Sequence, residues 1–246
     1  MADKKINAYM VAAGIYHDID YARLELLKLL AEHENIRTKV ASDFSDIEGI
    51  QASDFLITYT CNLIPSEEEQ KGLREYVANG GKWFALHGTN SILEFTADGV
   101  DAPETAPEFM DVLGSQFMAH PPIQPFTVKT EAHDHELVKD VGEFDTDDEQ
   151  YLCKMHGDHE LLMYSDFNGT CDGWINADFN SDEKRAIYYI KKTGDGEVLY
   201  LNLGHCRGHY DMEPVVDYYP EIERGSWEKP QYYELLRRGI RYCAAV

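Results

Sequence analysis

The 246-residue sequence predicts an α/β fold, with a mostly parallel central sheet flanked by helices and a late antiparallel hairpin. Three observations predict it. The first ninety residues alternate apolar runs with helical periodicity, a βαβαβ rhythm that calls for right-handed crossovers. Ser66 and Glu69 have the spacing of a capping box, and Gly80-Gly81 stops that helix just before the apolar run Trp83 to Leu86. Late in the chain, Arg185 to Ile190 and Val198 to Leu203 flank Thr193-Gly194-Asp195-Gly196, which reads as a hairpin.

Each element follows in order. Ile6 to Ala13 is a strand that ends at Gly14. Asp18 or Asp20 caps a helix in which Leu24, Leu27, Leu30 and Ala31 recur at spacings of three and four. Ile36 to Ala41 is a short, partly polar strand placed near an edge, and Asp54 to Thr60 is a buried strand. Leu73, Tyr76 and Val77 give the capped helix its buried face. Asp98 to Pro107, rich in Gly, Pro and acid, reads as a surface loop. Phe109 to Leu113 reads as a short helix, and Gly114 to His120 leads into Pro121-Pro122. Phe126 to Lys129 is a strand. Lys154 to Glu160 is a polar turn that puts His156 and His159 at the surface. Gln231 to Ala245 is an amphipathic helix carrying Leu235, Leu236, Ile240 and Cys243. With no repeat, low-complexity tract or linker, one domain is expected over residues 1–246.

The net charge is −23, from 45 acidic and 22 basic residues. No positive footprint for nucleic acid is visible, and an anionic membrane surface is disfavoured for the same reason. Met1 to Lys5 runs straight into the first strand without an apolar signal core, and no apolar run has the length of a membrane span. Five cysteines without CxxC spacing suit reduced thiols, so a cytoplasmic setting is expected.

The chemistry centres on His87, which follows Trp83-Phe84-Ala85-Leu86 and precedes Gly88. Ligands of open α/β sheets bind outside the carboxyl ends of the strands. An imidazole where a serine or cysteine nucleophile could stand excludes the simplest acyl transfer. It points to proton transfer, polarisation or metal ligation. His17, His120 and His205 also lie at strand ends or in the loops that follow, so a parallel core would gather them at one edge. A solitary histidine is more often a hydrogen-bonding partner of the backbone, and His17 could simply serve the first helix start. The shared context of His87, His120 and His205 is what points to a site. His33 suits an exposed helix end, and His209 lies close enough to His205 to support it. Asp147-Asp148-Glu149-Gln150-Tyr151 reads either as a solvated acidic loop or as a carboxylate held beside imidazoles. Tyr16 and Trp174 could stack on a sugar ring, whereas Trp83 reads as core.

Taken in order, these pieces resemble the ThuA, or trehalose-utilisation, family. They are His17-Asp18, Gly80-Gly81-Lys82-Trp83-Phe84-Ala85-Leu86-His87, Phe117-Met118-Ala119-His120-Pro121, Asp148-Glu149-Gln150-Tyr151, Leu203-Gly204-His205 and Gly239-Ile240-Arg241-Tyr242. The resemblance implies a class I glutamine amidotransferase-like, flavodoxin-like fold. His87 takes the place of that fold's cysteine and His205 that of its histidine, so glutamine hydrolysis is not expected. Cys61 and Cys206 fall near the edge but not at the corner. Two features depart from the family pattern: His135-Glu136 where His-Pro is common, and the Asp98 to Glu108 insert.

The family's link to sugar utilisation, often beside oxidoreductases that make keto-sugars, implies an enzyme that hydrolyses, eliminates from or isomerises a glycoside or keto-sugar. His87, His120, Glu149 and His205 are the expected catalytic residues, with Glu149 tuned toward neutral pH to move a proton. Tyr16, His17, Asn90, Asp148 and Tyr151 are expected on the substrate. A divalent metal, zinc first, would be held by His87, His120 and His205. The alternatives are a non-catalytic sugar-binding or regulatory module and a metal-dependent amide or ester hydrolase. The expected partner is a small sugar, and a homo-oligomer is compatible with all three readings.

Overall fold

A computed structural model describes residues 4–245 of the chain. The start of the N-terminal reading, Met1 to Asp3, and the last residue of the expected domain, Val246, lie outside the described residues. The first third forms β1 (Ile6–Gly14), α1 (Ile19–Leu30), β2 (Ile36–Ala41), α2 (Ile47–Gln51), β3 (Phe55–Cys61), α3 (Glu67–Ala78) and β4 (Lys82–Leu86). Asp18 is the cap of α1, its side chain accepting from the Tyr21 amide at 3.1 Å. The capping box of α3 is closed in both directions between Ser66 and Glu69. These two caps fix where each helix leaves the edge that carries the site.

Nine strands make one sheet. Its parallel half runs β2, β1, β3, β4 and then the Gly196–Leu201 strand. Its other half continues through Lys184–Thr193, Glu160–Asp166, Phe126–Thr130 and Phe144–Thr146, each antiparallel to the strand before it. The polar strand β2 sits at one edge, where its unpaired side costs least. The strand order reverses between β1 and β3, and a crevice opens there at the carboxyl ends.

Both faces of the parallel half are covered, as parallel sheets require. Phe84 and Leu86 face α1 and the Pro230–Ala244 helix, packing with Leu26, Leu29, Leu235, Leu236 and Ile240. Trp83 and Ala85 face the other way, toward Leu73, Tyr76 and Val77 of α3 and Phe109 of the Pro107–Leu113 helix. Trp83 is fully buried and its indole donates to Thr58 Oγ1 at 2.9 Å, which is the core role expected of it.

Two expectations change. The supposed surface loop after residue 98 begins as a hairpin of Glu94–Thr96 and Gly99–Asp101, and Val100 bridges to Trp174. Ala102 and Ala106 are buried beneath it. The polar turn at Lys154 to Glu160 joins two strands, Leu152–Met155 and Glu160–Asp166. The first of these pairs with Ser115–Ala119 in a separate two-stranded sheet that carries His120 at its end. No helix among the described residues is long and apolar enough to cross a membrane.

Candidate functional site

β4 ends on His87 in a left-handed conformation, φ +43°, that a non-glycine residue rarely adopts. Tyr200 holds the corner. Its hydroxyl donates to the His87 carbonyl at 2.6 Å and accepts from the Asn90 amide at 2.7 Å. His87 is fully buried, and its Nδ1 donates to the Asn202 carbonyl at 2.9 Å. A carbonyl can only accept, so Nε2 of a neutral ring is left as a lone pair. That nitrogen faces His17 Nε2 at 2.9 Å and the Tyr151 hydroxyl at 3.2 Å.

His17 arrives from the turn after β1, and His205 from the turn after the Gly196–Leu201 strand. Gly204 makes the second turn feasible. Its φ is +120°, and a Cβ there would meet the Tyr232 hydroxyl at 2.2 Å. Glu149 lies among all of them. Its Oε2 is 3.3 Å from His17 Nε2 and 3.5 Å from His87 Nε2. Its Oε1 is 3.2 Å from His205 Nδ1, 3.6 Å from His120 Nε2 and 3.0 Å from Arg207 Nη2. Arg207 also reaches Glu223 at 2.8 Å, and Glu223 accepts from His205 Nε2 at 2.7 Å.

The adjacent carboxylate has a different task. Asp148 accepts from the backbone amides of Gly204 at 2.9 Å, His205 at 3.0 Å and Ser226 at 2.9 Å. It builds the His205 turn and does not line the cavity. Asn90 likewise faces inward, donating to Ser115 Oγ at 2.6 Å. The expected substrate contacts of Asp148 and Asn90 are therefore replaced by contacts with the protein. One acid braces the loop while its neighbour enters the site, at a bend of the chain just after the Phe144–Thr146 strand.

Burial disfavours the charged form of every group here, and local partners decide which group stays charged. Burial pushes Glu149 up, but the imidazoles of His205, His120 and His17 outweigh it and hold the carboxyl well below the usual range. Burial pushes His205 down, but Glu149 and Glu223 outweigh it and raise the ring to about 9. For His17 burial wins over Glu149, and the ring falls to about 3. Burial also lowers His120 against the pull of Glu149. Glu149 was expected to be tuned toward neutrality. The structure tunes it the other way, which makes it a weak base and a strong anchor for cations.

Above this floor lies a cavity of about 510 Å³, lined by Tyr16, Phe95, Phe117, Trp174 and Tyr219 together with His17, His120, Glu149 and Tyr151. His120 stands on its wall with 22% of the side chain exposed, its Nδ1 donating to the Pro121 carbonyl at 2.7 Å. Trp174 packs edge-on against it, with ring centroids 5.1 Å apart. His209 stays outside the cluster, stacked on Tyr218. His156 and His159 are half-buried rather than fully surface residues, and His159 packs against Tyr189. Cys61 and Cys206 are buried, and burial pushes both thiols up to about 12, far from a nucleophilic thiolate.

Among groups able to hold a metal, one donor atom each from His17, His87, Glu149 and His205 lie within 4.8 Å of one another. His17 and Glu149 thus stand where His120 was expected, and His120, with Nε2 3.6 Å from Glu149 Oε1, is not one of the four. Sequence reasoning missed Arg207 and Glu223 altogether. The proximity of Arg207 to His205 was the only local signal.

A sequence profile described as ThuA, trehalose utilisation, matches residues 7–219. The chain belongs to the ThuA family. No curated protein matches the sequence. Among solved structures, the chain resembles a ThuA-like protein from Parabacteroides merdae at 14% identity and a TM-score of 0.69, covering 98% of this chain and 90% of that one. A ThuA-like protein from Bacteroides uniformis is similar at 18% identity and 0.68, with 99% and 93% covered. A β-galactosidase from Rahnella sp. R3 shares the fold over 31% of its own length, at 12% identity and 0.56, with 97% of this chain covered. The ThuA-family expectation and the α/β fold both hold, and the family's description ties this chain to carbohydrate use.

Proposed function

We propose that this ThuA-family chain is a carbohydrate-processing enzyme acting on a glycoside or keto-sugar by hydrolysis, elimination or isomerisation. The observation that carries the reading is the buried His17–His87–His205–Glu149 floor opening into an aromatic-walled cavity. Such walls suit the apolar face of a sugar ring, and a carbonyl reaching the floor would meet groups able to polarise it. A divalent ion, zinc first, would serve the same end as a Lewis acid. Elimination and isomerisation share one difficult step, loss of a proton beside the carbonyl. His120 suits that step better than Glu149, since its neutral ring is partly exposed to the cavity while Glu149 is tied to cations. His87 and His205 would hold the carbonyl end, and Tyr16, His17 and Tyr151 would border the sugar. Five free cysteines support a reducing, cytoplasmic setting.

The test is proton NMR of 3-keto-glycosides incubated with the protein in D₂O. Turnover, or deuterium appearing at the carbon beside the carbonyl, is the expected result. Binding without either would favour the sugar-binding module, and turnover confined to amides or esters would favour the hydrolase.

A further inference from the structure

We infer that His17, His87, His205 and Glu149 form a mononuclear divalent-metal centre, and that His120 stands outside it as the group that moves protons. The inference deepens the proposed function and rests on its reactive floor, not on which sugar is bound.

The orientations of the His87 and His205 rings support the assignment. His87 commits Nδ1 to the Asn202 carbonyl and presents Nε2. His205 commits Nε2 to Glu223 and presents Nδ1, which is fully buried and has no hydrogen-bonding partner although Glu149 Oε1 is 3.2 Å away. That nitrogen is close to a carboxylate but not aimed at it. Metal-bound histidines have this arrangement, with the far nitrogen held by a carbonyl or carboxylate. Arg207 fixes Glu149 Oε1 and leaves Oε2 toward His17 and His87. The separations among His17 Nε2, His87 Nε2 and Glu149 Oε2, 2.9, 3.3 and 3.5 Å, fall around the roughly 3.3 Å edge of a tetrahedron whose donors lie about 2.0–2.1 Å from zinc, and the His205 donor completes a set within 4.8 Å. Three imidazoles and one carboxylate suit zinc or cobalt far better than magnesium or calcium.

A hydrogen bond from His17 to His87 would explain their 2.9 Å approach without an ion. It would leave His205 Nδ1 buried and without a hydrogen-bonding partner, which is costly. His120 has the opposite design. Its Nδ1 is used by Pro121, its Nε2 is 3.6 Å from Glu149, and its ring borders the cavity where a molecule bound to the ion would sit.

The experiment strips the full chain with chelator and titrates it with zinc or cobalt(II), reading metal per chain and the visible absorption of cobalt. One ion per chain is expected. His17→Gln and His205→Gln should weaken binding by at least about 100-fold, and Glu223→Gln by about 10–100-fold. His120→Gln should bind within a few-fold of the unmodified chain. Failure of the unmodified chain to bind either ion overturns the inference, as does equal loss in His120→Gln and His17→Gln. Because the unmodified chain is itself decisive, a variant that misfolds does not blunt the test. Metal uptake without sugar turnover contradicts the proposed function alone, and full turnover in chelator contradicts the metal centre alone.

Discussion

The floor and the wall of the cavity are built by different means. The floor hangs from the main sheet, where His17, His87 and His205 each follow a parallel strand and are buried. The wall comes from small accessory pieces: the Ser115–Ala119 pair that carries His120, the Glu94–Asp101 hairpin and the Trp174 turn. Floor groups are locked by carbonyls, carboxylates and Arg207, so they are suited to hold. The wall keeps partial exposure, so it is suited to exchange protons and admit substrate. Position at a strand end therefore does not assign a role. His120 shares its sequence context with the other three histidines but not its burial or its partners.

The largest effects should come from breaking the floor's frame. Asp148→Ala leaves three buried amides unpaired, so unfolding in urea should show a loss of about 3–5 kcal/mol. Glu149→Gln removes the anchor of the cations, and we expect turnover to fall by about 10²–10⁴-fold, with metal uptake reduced as well. If Glu149→Gln proves harmless, the floor is not the reactive part. His120→Gln should lower turnover by about 10²–10⁴-fold while changing stability by less than about 1 kcal/mol, which separates wall from floor in a single variant.

The pH dependence sharpens the contrast within the floor. His205 binds its proton more tightly in the folded chain, up to about 9 from 6.5. That stabilisation is complete below pH 6.5 and is lost as pH rises toward 9. His17 is depressed to about 3. The unfolded chain therefore takes a proton that the folded chain refuses, and stability falls as pH drops from 6.5 toward 3. In chelator, urea unfolding should be hardest near pH 6.5 and ease by about 1–3 kcal/mol toward pH 9. A flat profile would mean the two imidazoles are not in these charge states. The smallest effect expected is for Trp174→Phe, a rise in KM of about ten-fold or less with kcat little changed, consistent with the loss of part of one stacking surface.

Much of the floor was legible in the sequence because regular elements position it. The Ser66–Glu69 box, the Gly80-Gly81 stop and the apolar run to Leu86 located His87. The Gly194 hairpin located His205 in the same way. What could not be read has physical causes. Glu160–Asp166 conceals a strand because a bulge between Leu161 and Tyr164 breaks the two-residue alternation. Glu223 lies in an irregular stretch after Arg207, where no periodicity links it to His205 before the chain folds back. Glu149 was located, but its charge state depends on three distant imidazoles and one arginine, none of which spacing can count.

The most direct test of the division between floor and wall is anomalous diffraction at the zinc edge from crystals of the unmodified chain soaked in zinc. One peak is predicted, bonded to His17, His87, His205 and Glu149, with His120 out of bonding distance. A peak bonded to His120, or no peak at this site, would contradict the account.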